Sequence, residues 1–425
     1  MKSIEQIAAE LQGYDPGALS AERVNQFLAR LVEPVTETED IGVFDALGRV
    51  LAHDVISPVS VPPHDNSAMD GFALASSQLR PDRALRLRVV GTAFAGKAWS
   101  GELVDGDCVK IMTGAIMPKG LDTVVPVEFV RVDGEHIDVP PGVVSAGDNR
   151  RRLGEDLMIG RAALRKGQAL GPAALGLIAS VGLPTVKVFR RVRVAYFSTG
   201  DEILSLGEAP REGAVYDSNR YTVFGLLTRM GVEVIDMGVV SDAPALLEAA
   251  FLEAASKADA IITSGGVSMG EADHTKAMMK QLGDVAFWRI AMRPGRPMAV
   301  GRIQQGDKAS LLFGLPGNPV AVMVTFLAFV RPALQQLMGA APSTPVLLQA
   351  RSAEALRKKP GRTEYQRGVV TRGADGHLNV RITGNQGSGV LSSMVEANGL
   401  IVLHHGQGNV APGDPVDVMM FDGVI

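Results

Sequence analysis

Between residues 190 and 339, short apolar runs that stop at glycine alternate with stretches of helical spacing. Val192-Arg193-Val194-Ala195-Tyr196-Phe197 leads into Ser198-Thr199-Gly200-Asp201-Glu202. Ala260-Ile261-Ile262 leads into Thr263-Ser264-Gly265-Gly266-Val267-Ser268-Met269-Gly270-Glu271-Ala272-Asp273. Leu311-Leu312-Phe313 leads into Gly314-Leu315-Pro316-Gly317-Asn318-Pro319. Each run is too short and too glycine-bounded for a helix, so each is predicted as a strand. Helices are predicted over 219–230, 244–257, 275–282 and 320–337. Strands alternating with helices predict an α/β domain with a parallel-rich sheet. Ligands of such sheets sit beyond the carboxyl ends of the strands, where loops expose N–H groups.

The flanks have a different rhythm. Ser3 with Gln6 forms a capping-box signature ahead of an amphipathic first helix, and a second helix begins near Ser20. The prolines of Ser57-Pro58-Val59-Ser60-Val61-Pro62-Pro63 force extended chain and mark a junction. Short strand-like runs follow at 85–90, 108–112, 123–132 and 136–139, predicting a small all-β domain over 64–148. A charged connector, residues 147–156, leads to a helix that opens with Pro172. With the N-terminal helices, residues 149–189 are expected to form a stalk that the β-domain interrupts, so the stalk is 1–63 and 149–189. The α/β domain is then 190–339. Strand-like runs at 346–350, 364–371, 377–383 and 400–403 predict a C-terminal β-barrel over 340–425, with Asp375-Gly376 as a hairpin turn.

The totals narrow the class. The 425 residues allow two to four domains, and 46% hydrophobic with 21% charged residues is an ordinary globular mixture. A net charge of -4 gives no electrostatic reason to expect nucleic acid or an acidic membrane as partner. The single cysteine, Cys108, fits a reducing compartment, and Met1-Lys2-Ser3-Ile4-Glu5 has no apolar signal core. A cytoplasmic protein is expected. There is no G-x-x-x-x-G-K-[ST] loop, and Gly406-Gln407-Gly408-Asn409-Val410-Ala411 runs into Pro412-Gly413 rather than a helix, so it reads as a turn.

Carboxylates recur at the loops: Asp65, Asp70, Asp156, Asp201, Glu202, Asp242, Glu271 and Asp273. Taken singly, such residues cap helices; for Asp242 capping and function stand about even. Clustered at glycine turns, Asp201, Glu202 and Asp273 point to a hard cation such as Mg2+. Arg289, Arg293-Pro294-Gly295-Arg296-Pro297, Arg362 and Arg367 present planar forks suited to oxyanions. Carboxylates for a metal beside arginines for an anion suggest chemistry at a phosphate.

Together these strings resemble the molybdopterin molybdenumtransferase family, to which the E domain of gephyrin belongs. The likeness rests on Asp65-Asn66-Ser67-Ala68-Met69-Asp70-Gly71, Ile111-Met112-Thr113-Gly114-Ala115, residues 150–156, the three glycine turns, Pro294-Gly295-Arg296-Pro297, Gln366-Arg367-Gly368 and Gln386-Gly387-Ser388. The resemblance implies a homodimer with its site in a cleft between subunits. It implies a reaction in which molybdate enters adenylylated molybdopterin, Mg2+ assists and AMP leaves. It implies catalytic positions at Asp70, Thr113, Asp156, Glu202, Asp242, Asp273, Arg289, Arg293, Arg367 and Ser388, with Glu202, Asp242 and Asp273 at the metal. Thr199, Gly200, Asp201, Ser264, Gly265, Gly266, Ser268, Arg296, Pro316, Gly317 and Asn318 would line the pterin substrate. Arg293, Arg296 and Arg367 would clamp molybdate and phosphate. The family often carries lysine at 289, 293 and 296; arginine keeps the charge but not a transferable proton. A non-catalytic pterin carrier, other cofactor-biosynthesis proteins as partners, and tungstate in place of molybdate remain open at this point.

Overall fold

The computed structural model describes residues 2–267 and 274–421. Its centre is a six-stranded sheet in the order Glu233–Val240, Arg193–Thr199, Ala260–Ser264, Lys308–Leu315, Pro297–Gln305, Gly283–Arg289. The first four strands are parallel; Pro297–Gln305 runs opposite to them, and Gly283–Arg289, antiparallel to it, runs with them. Ala260–Ser264 is buried at every position, as is Arg193–Thr199 after its first residue. Burial on both faces is what a parallel sheet covered by helices requires. Helices Ser218–Arg229, Pro244–Lys257 and His274–Leu282 supply the cover.

A long helix, Pro319–Leu337, follows the strand Lys308–Leu315 and is long and apolar enough to cross a membrane, yet 78% of it is buried inside the protein. Its middle, Phe326–Val330, is a π turn in which Arg331 donates its N–H to the Phe326 carbonyl. Pro332 follows directly. A proline has no N–H to give and its ring crowds the carbonyl four residues back, so a widened turn there lets the helix continue.

The first two helices do not lie where they were expected. Ile4–Glu10 has the capping box, with Ser3 Oγ accepting from Gln6 and Gln6 Oε1 accepting from the Ser3 N–H, but it packs on the α/β domain. Ile4, Ile7, Phe27, Leu28 and Leu31 share one core with Val194, Trp288, Phe313 and Phe329. The Trp288 indole N–H donates to Tyr14 Oη at 2.9 Å, and Phe27 meets Trp288 edge-on. The remaining stalk is mostly β: Thr38–Gly42 pairs with Thr185–Phe189, Val55–Ile56 with Ala162–Leu164, and Pro172–Ser180 is its helix. Apolar spacing shows that a helix has a buried face but not which body it is buried against.

The inserted domain is a six-stranded sheet over Gly71–Leu74, Leu85–Ala93, Asp107–Ile111, Thr123–Pro126, Arg131–Asp133 and His136–Val139. The C-terminal domain is a closed barrel. Its strands run in the order Thr363–Arg372, Leu378–Ile382, Leu348–Ser352, Pro415–Met420, Gly399–Leu403, and the last pairs back onto the first. Met292–Arg293, from the α/β region, adds alongside Thr363 and Glu364 of that barrel.

Candidate functional site

The carboxyl ends of the parallel strands form one crest. Pairing puts Thr199 beside Val240, Ser198 beside Ser264, and Ser264 beside Leu315. Pro297–Gln305 runs back, so its first residue lies at this edge, paired with Arg289 at the carboxyl end of Gly283–Arg289. The chain order reverses between Arg193–Thr199 and Ala260–Ser264, which is where an open α/β sheet leaves a crevice. Gly265 stands in that crevice at φ +92; a Cβ there would lie 2.5 Å from the Thr199 carbonyl oxygen, so a side chain is excluded by contact as well as by backbone angle.

One end of the crest is acidic. Gly200 has φ +138, and the Glu202 carboxylate folds over it so closely that a Cβ at 200 would come within 2.6 Å. Asp201 Oδ1 accepts from Ser241 Oγ at 2.7 Å and from the Asp242 N–H at 3.3 Å. Those bonds, the Ser241 hydroxyl first, hold the Asp201 carboxyl below its usual range. Arg211 donates to the Asp201 carbonyl. Asp242 is pushed the other way, first by burial and then by the negative charges of Asp201 and Glu202. All donors at this end are oxygens, which suits magnesium, and Arg211 and His274 offset their negative charge only in part. Among the described residues no group of three His, Cys, Asp or Glu side chains is close enough to hold a metal ion. The third residue expected to join Glu202 and Asp242, Asp273, lies outside the described residues, as does Ser268.

The other end is basic. Arg289, Arg293 and Arg296 are exposed, and among the described residues none takes part in an ion pair or side-chain hydrogen bond. Their turn is held by contact: Gly295 has φ +87 and packs against Thr325 of the long helix. Ser388, half-buried, accepts the Val320 N–H at 3.1 Å through its carbonyl, so the barrel loop reaches the start of the same helix. Pro316 is buried while Gly317 and Asn318 are exposed beside it. Strands lie about 4.8 Å apart, so three spacings put the Glu202 end roughly 14 Å from the Arg296 end. The carboxylates and arginines therefore share an edge without neutralising one another.

Arg367 takes a different part from the anion clamp expected of it. It is 1% exposed, and its guanidinium donates to Ser393 Oγ at 2.9 Å and to the carbonyls of Gln386, Asn385 and Gly387 at 3.2, 3.2 and 2.9 Å. With four of its five N–H donors on protein oxygens, it braces the loop that carries Ser388. Burial first, and the charge of Arg293 second, lower its pKa to about 10.

Asp70 and Thr113 form a pair on the inserted domain. Asp70 Oδ1 accepts from both the N–H and the hydroxyl of Thr113 at 2.7 Å, and these bonds, the backbone N–H first, keep the exposed carboxyl low. Among the described residues no hydrogen bond links this pair to the crest. Asp156 is exposed on the connector, its N–H donating to the Val61 carbonyl.

Sequence reasoning named Ser264 but not Ser241, which fixes Asp201, or Tyr196 and Ser198, which complete a buried hydroxyl trio at the crevice, where Tyr196 Oη lies 2.9 Å from Ser198 Oγ and 2.7 Å from Ser264 Oγ. The signal was present: three hydroxyl-bearing residues in strands that are otherwise apolar.

Comparison with known proteins converges on one family. Residues 19–182 match the MoeA N-terminal region (domain I and II), 195–336 a probable molybdopterin binding domain, and 349–421 the MoeA C-terminal region (domain IV). The chain is 40% identical over 391 residues to a molybdopterin molybdenumtransferase of Haemophilus influenzae, covering 92% of this chain and 95% of that one. It is 30% identical to a gephyrin of Dictyostelium discoideum over 90% of this chain and 59% of that protein. The solved molybdopterin biosynthesis moeA protein from Pyrococcus horikoshii superimposes with a TM-score of 0.80 at 25% identity, covering 95% of this chain and all of that one. The three domain matches, the identity sustained along the chain and the shared multidomain architecture establish that this protein belongs to the molybdopterin molybdenumtransferase family.

Proposed function

We propose that the protein transfers molybdenum to molybdopterin, taking adenylylated molybdopterin and molybdate and releasing AMP. The observation that carries this reading is the divided crest: oxygen donors at one end, free guanidinium groups at the other, and glycine-exposed backbone between. A cation belongs at the first, oxyanions at the second, and a long anionic substrate across both.

Glu202 and Asp242, with Asp273, would hold Mg2+. When bound, that ion supplies charge neutralisation at the phosphoanhydride. The chain's own groups do the rest. Arg293 and Arg296 hold molybdate and phosphate oxygens, and Arg289 extends that field. The amides around Gly265, Gly266 and Gly317 and the side chain of Asn318 line the substrate, with Thr199 and Ser264 beneath them. Arg367 positions Ser388 through the loop it braces. Because the three crest arginines stay protonated, the leaving group takes its proton from water rather than from them.

Among the described residues Asp70 and Thr113 have no bond to the crest, which supports a homodimer in which they close the partner's site. Asp156 belongs to the same contributed surface. A cytoplasmic setting fits the single, buried Cys108.

The test is AMP release from adenylylated molybdopterin on addition of molybdate. Glu202→Gln should lower it at least about a hundredfold with an unchanged melting curve, as expected when a charged transition-state contact is lost. Full activity in Glu202→Gln and Asp273→Asn would remove the cation site. Tight pterin binding without AMP release in the native protein would make it a carrier. Mixing Asp70→Asn with Glu202→Gln subunits should restore about a quarter of native activity, since half the random dimers carry one intact composite site. No recovery places both residues in one subunit's site.

A further inference from the structure

The start of the helix Ser218–Arg229 holds two buried oxygens that have no hydrogen-bond partner among the described residues. Asp217 caps that helix: its Oδ1 accepts the Arg220 N–H at 3.1 Å. Its Oδ2 has no hydrogen-bond partner, although the residue is 4% exposed. Asn219, 9% exposed, donates Nδ2–H to the Gly317 carbonyl at 2.7 Å and leaves Oδ1 without a partner. The nearby guanidinium that could answer Asp217 is committed elsewhere, since Arg220 Nε and Nη2 both bind Asp236.

Helix capping accounts for one oxygen of Asp217 and no more. Asparagine or serine would cap as well and bury no second anionic oxygen. A buried carboxylate oxygen without a donor is costly, and cost without structural return marks a site for a ligand. Its place supports this. The Asp217 N–H binds the Leu204 carbonyl, on the ribbon that leaves Glu202, and Asn219 ties to the loop at Gly317. Thr199, the last residue of its strand and 3% exposed, presents a third unpartnered oxygen. Asp217 and Asn219 thus sit where the ribbon after Glu202 meets the loop at Gly317.

Acceptors gathered in this way select N–H donors and repel phosphate. The 2-amino-4-oxopyrimidine edge of a pterin carries a ring N–H and an amino group side by side, the pair that a carboxylate accepts. Resting on the pterin reading above, we infer that Asp217 Oδ2, with Asn219 Oδ1 beside it, receives the amino edge of the pterin ring and sets which way the ring lies along the crest. Asp217 and Asn219 are thus specificity-determining residues for the substrate, and Thr199 supports them.

The test compares pterin (2-amino-4-oxopteridine) with lumazine (2,4-dioxopteridine), which puts a carbonyl where pterin has the amino group. Both are titrated into native protein and Asp217→Asn by ligand fluorescence, with AMP as a third ligand. Asp217→Asn keeps the shape and the cap but turns the acceptor into a donor. Native protein should prefer pterin by about tenfold or more, and the variant should lose or reverse that preference while AMP affinity holds within about twofold. Asp217→Ser, which caps without the second oxygen, should also lose it, and serves if the first variant does not fold. An unchanged preference, or an equal loss for pterin, lumazine and AMP, overturns the inference and leaves Asp217 a cap. Native protein that binds neither pteridine overturns the pterin reading itself, a result distinct from the other two.

Discussion

Arg367 and the pair Arg293 and Arg296 are the same side chain used in opposite ways. Arg367 is buried and gives its N–H groups to Ser393 and to three carbonyls of one loop. Arg293 and Arg296 are exposed and give theirs to no partner among the described residues. Yet the two kinds are close enough that the Arg293 charge, after burial, depresses Arg367. A guanidinium saturated by carbonyls is a brace; one left unsaturated beside another cation is a receptor, because an arriving oxyanion both fills its donors and relieves the repulsion.

The largest effect should come from the brace. Arg367→Ala leaves three carbonyls and a hydroxyl without donors and should destabilise the barrel by about 3–5 kcal/mol, read from urea unfolding. Arg367→Lys should recover only part, since an ammonium cannot span the same fork. Native stability with a lost molybdate response would reverse the roles assigned to the two kinds. Next, Arg293→Ala or Arg296→Ala should leave the melting temperature within about 1 °C but raise the molybdate needed for half-maximal AMP release about tenfold or more. A weaker pterin complex with unchanged molybdate dependence would misplace the oxyanion end.

The smallest effect lies at the acidic end. Asp242 is raised, so the folded protein takes up its proton more readily than the unfolded chain does. Its penalty is present at neutral pH and is relieved as pH falls through the raised folded value. Asp242→Asn should therefore raise the melting temperature at pH 7, by about 1 °C after allowing for solvent screening, and the gain should vanish in acid. A lower melting temperature at pH 7 would mean that the carboxylate is held by bonds rather than strained by charge.

Much of this was legible in the sequence, and the reasons for the rest are specific. The helix at Pro244–Lys257 and the three glycine-stopped strands follow from spacing and turn chemistry alone. The flanking strands Glu233–Val240 and Gly283–Arg289 escaped because they are half-exposed and carry mixed residues that break the apolar run. The packing partner of the first two helices is a tertiary choice that an amphipathic pattern does not encode. The Arg367 brace was hidden because arginine is ordinarily a surface residue. Asp217 was hidden because a cap and a ligand group look alike in one dimension; only its second, unanswered oxygen separates them.

The two residues Met292 and Arg293 that lie against Thr363 and Glu364 act as a rivet between bodies. Any tilt of the barrel carries Arg293 with it, whereas Glu202 and Asp242 follow the strands Arg193–Thr199 and Glu233–Val240, which do not pair with the barrel. The gap between the two poles of the crest is thus adjustable from a distance. Changes along the barrel strand Leu378–Ile382, paired with Thr363–Arg372, would retune which oxyanion fits while leaving the acidic pole as it was.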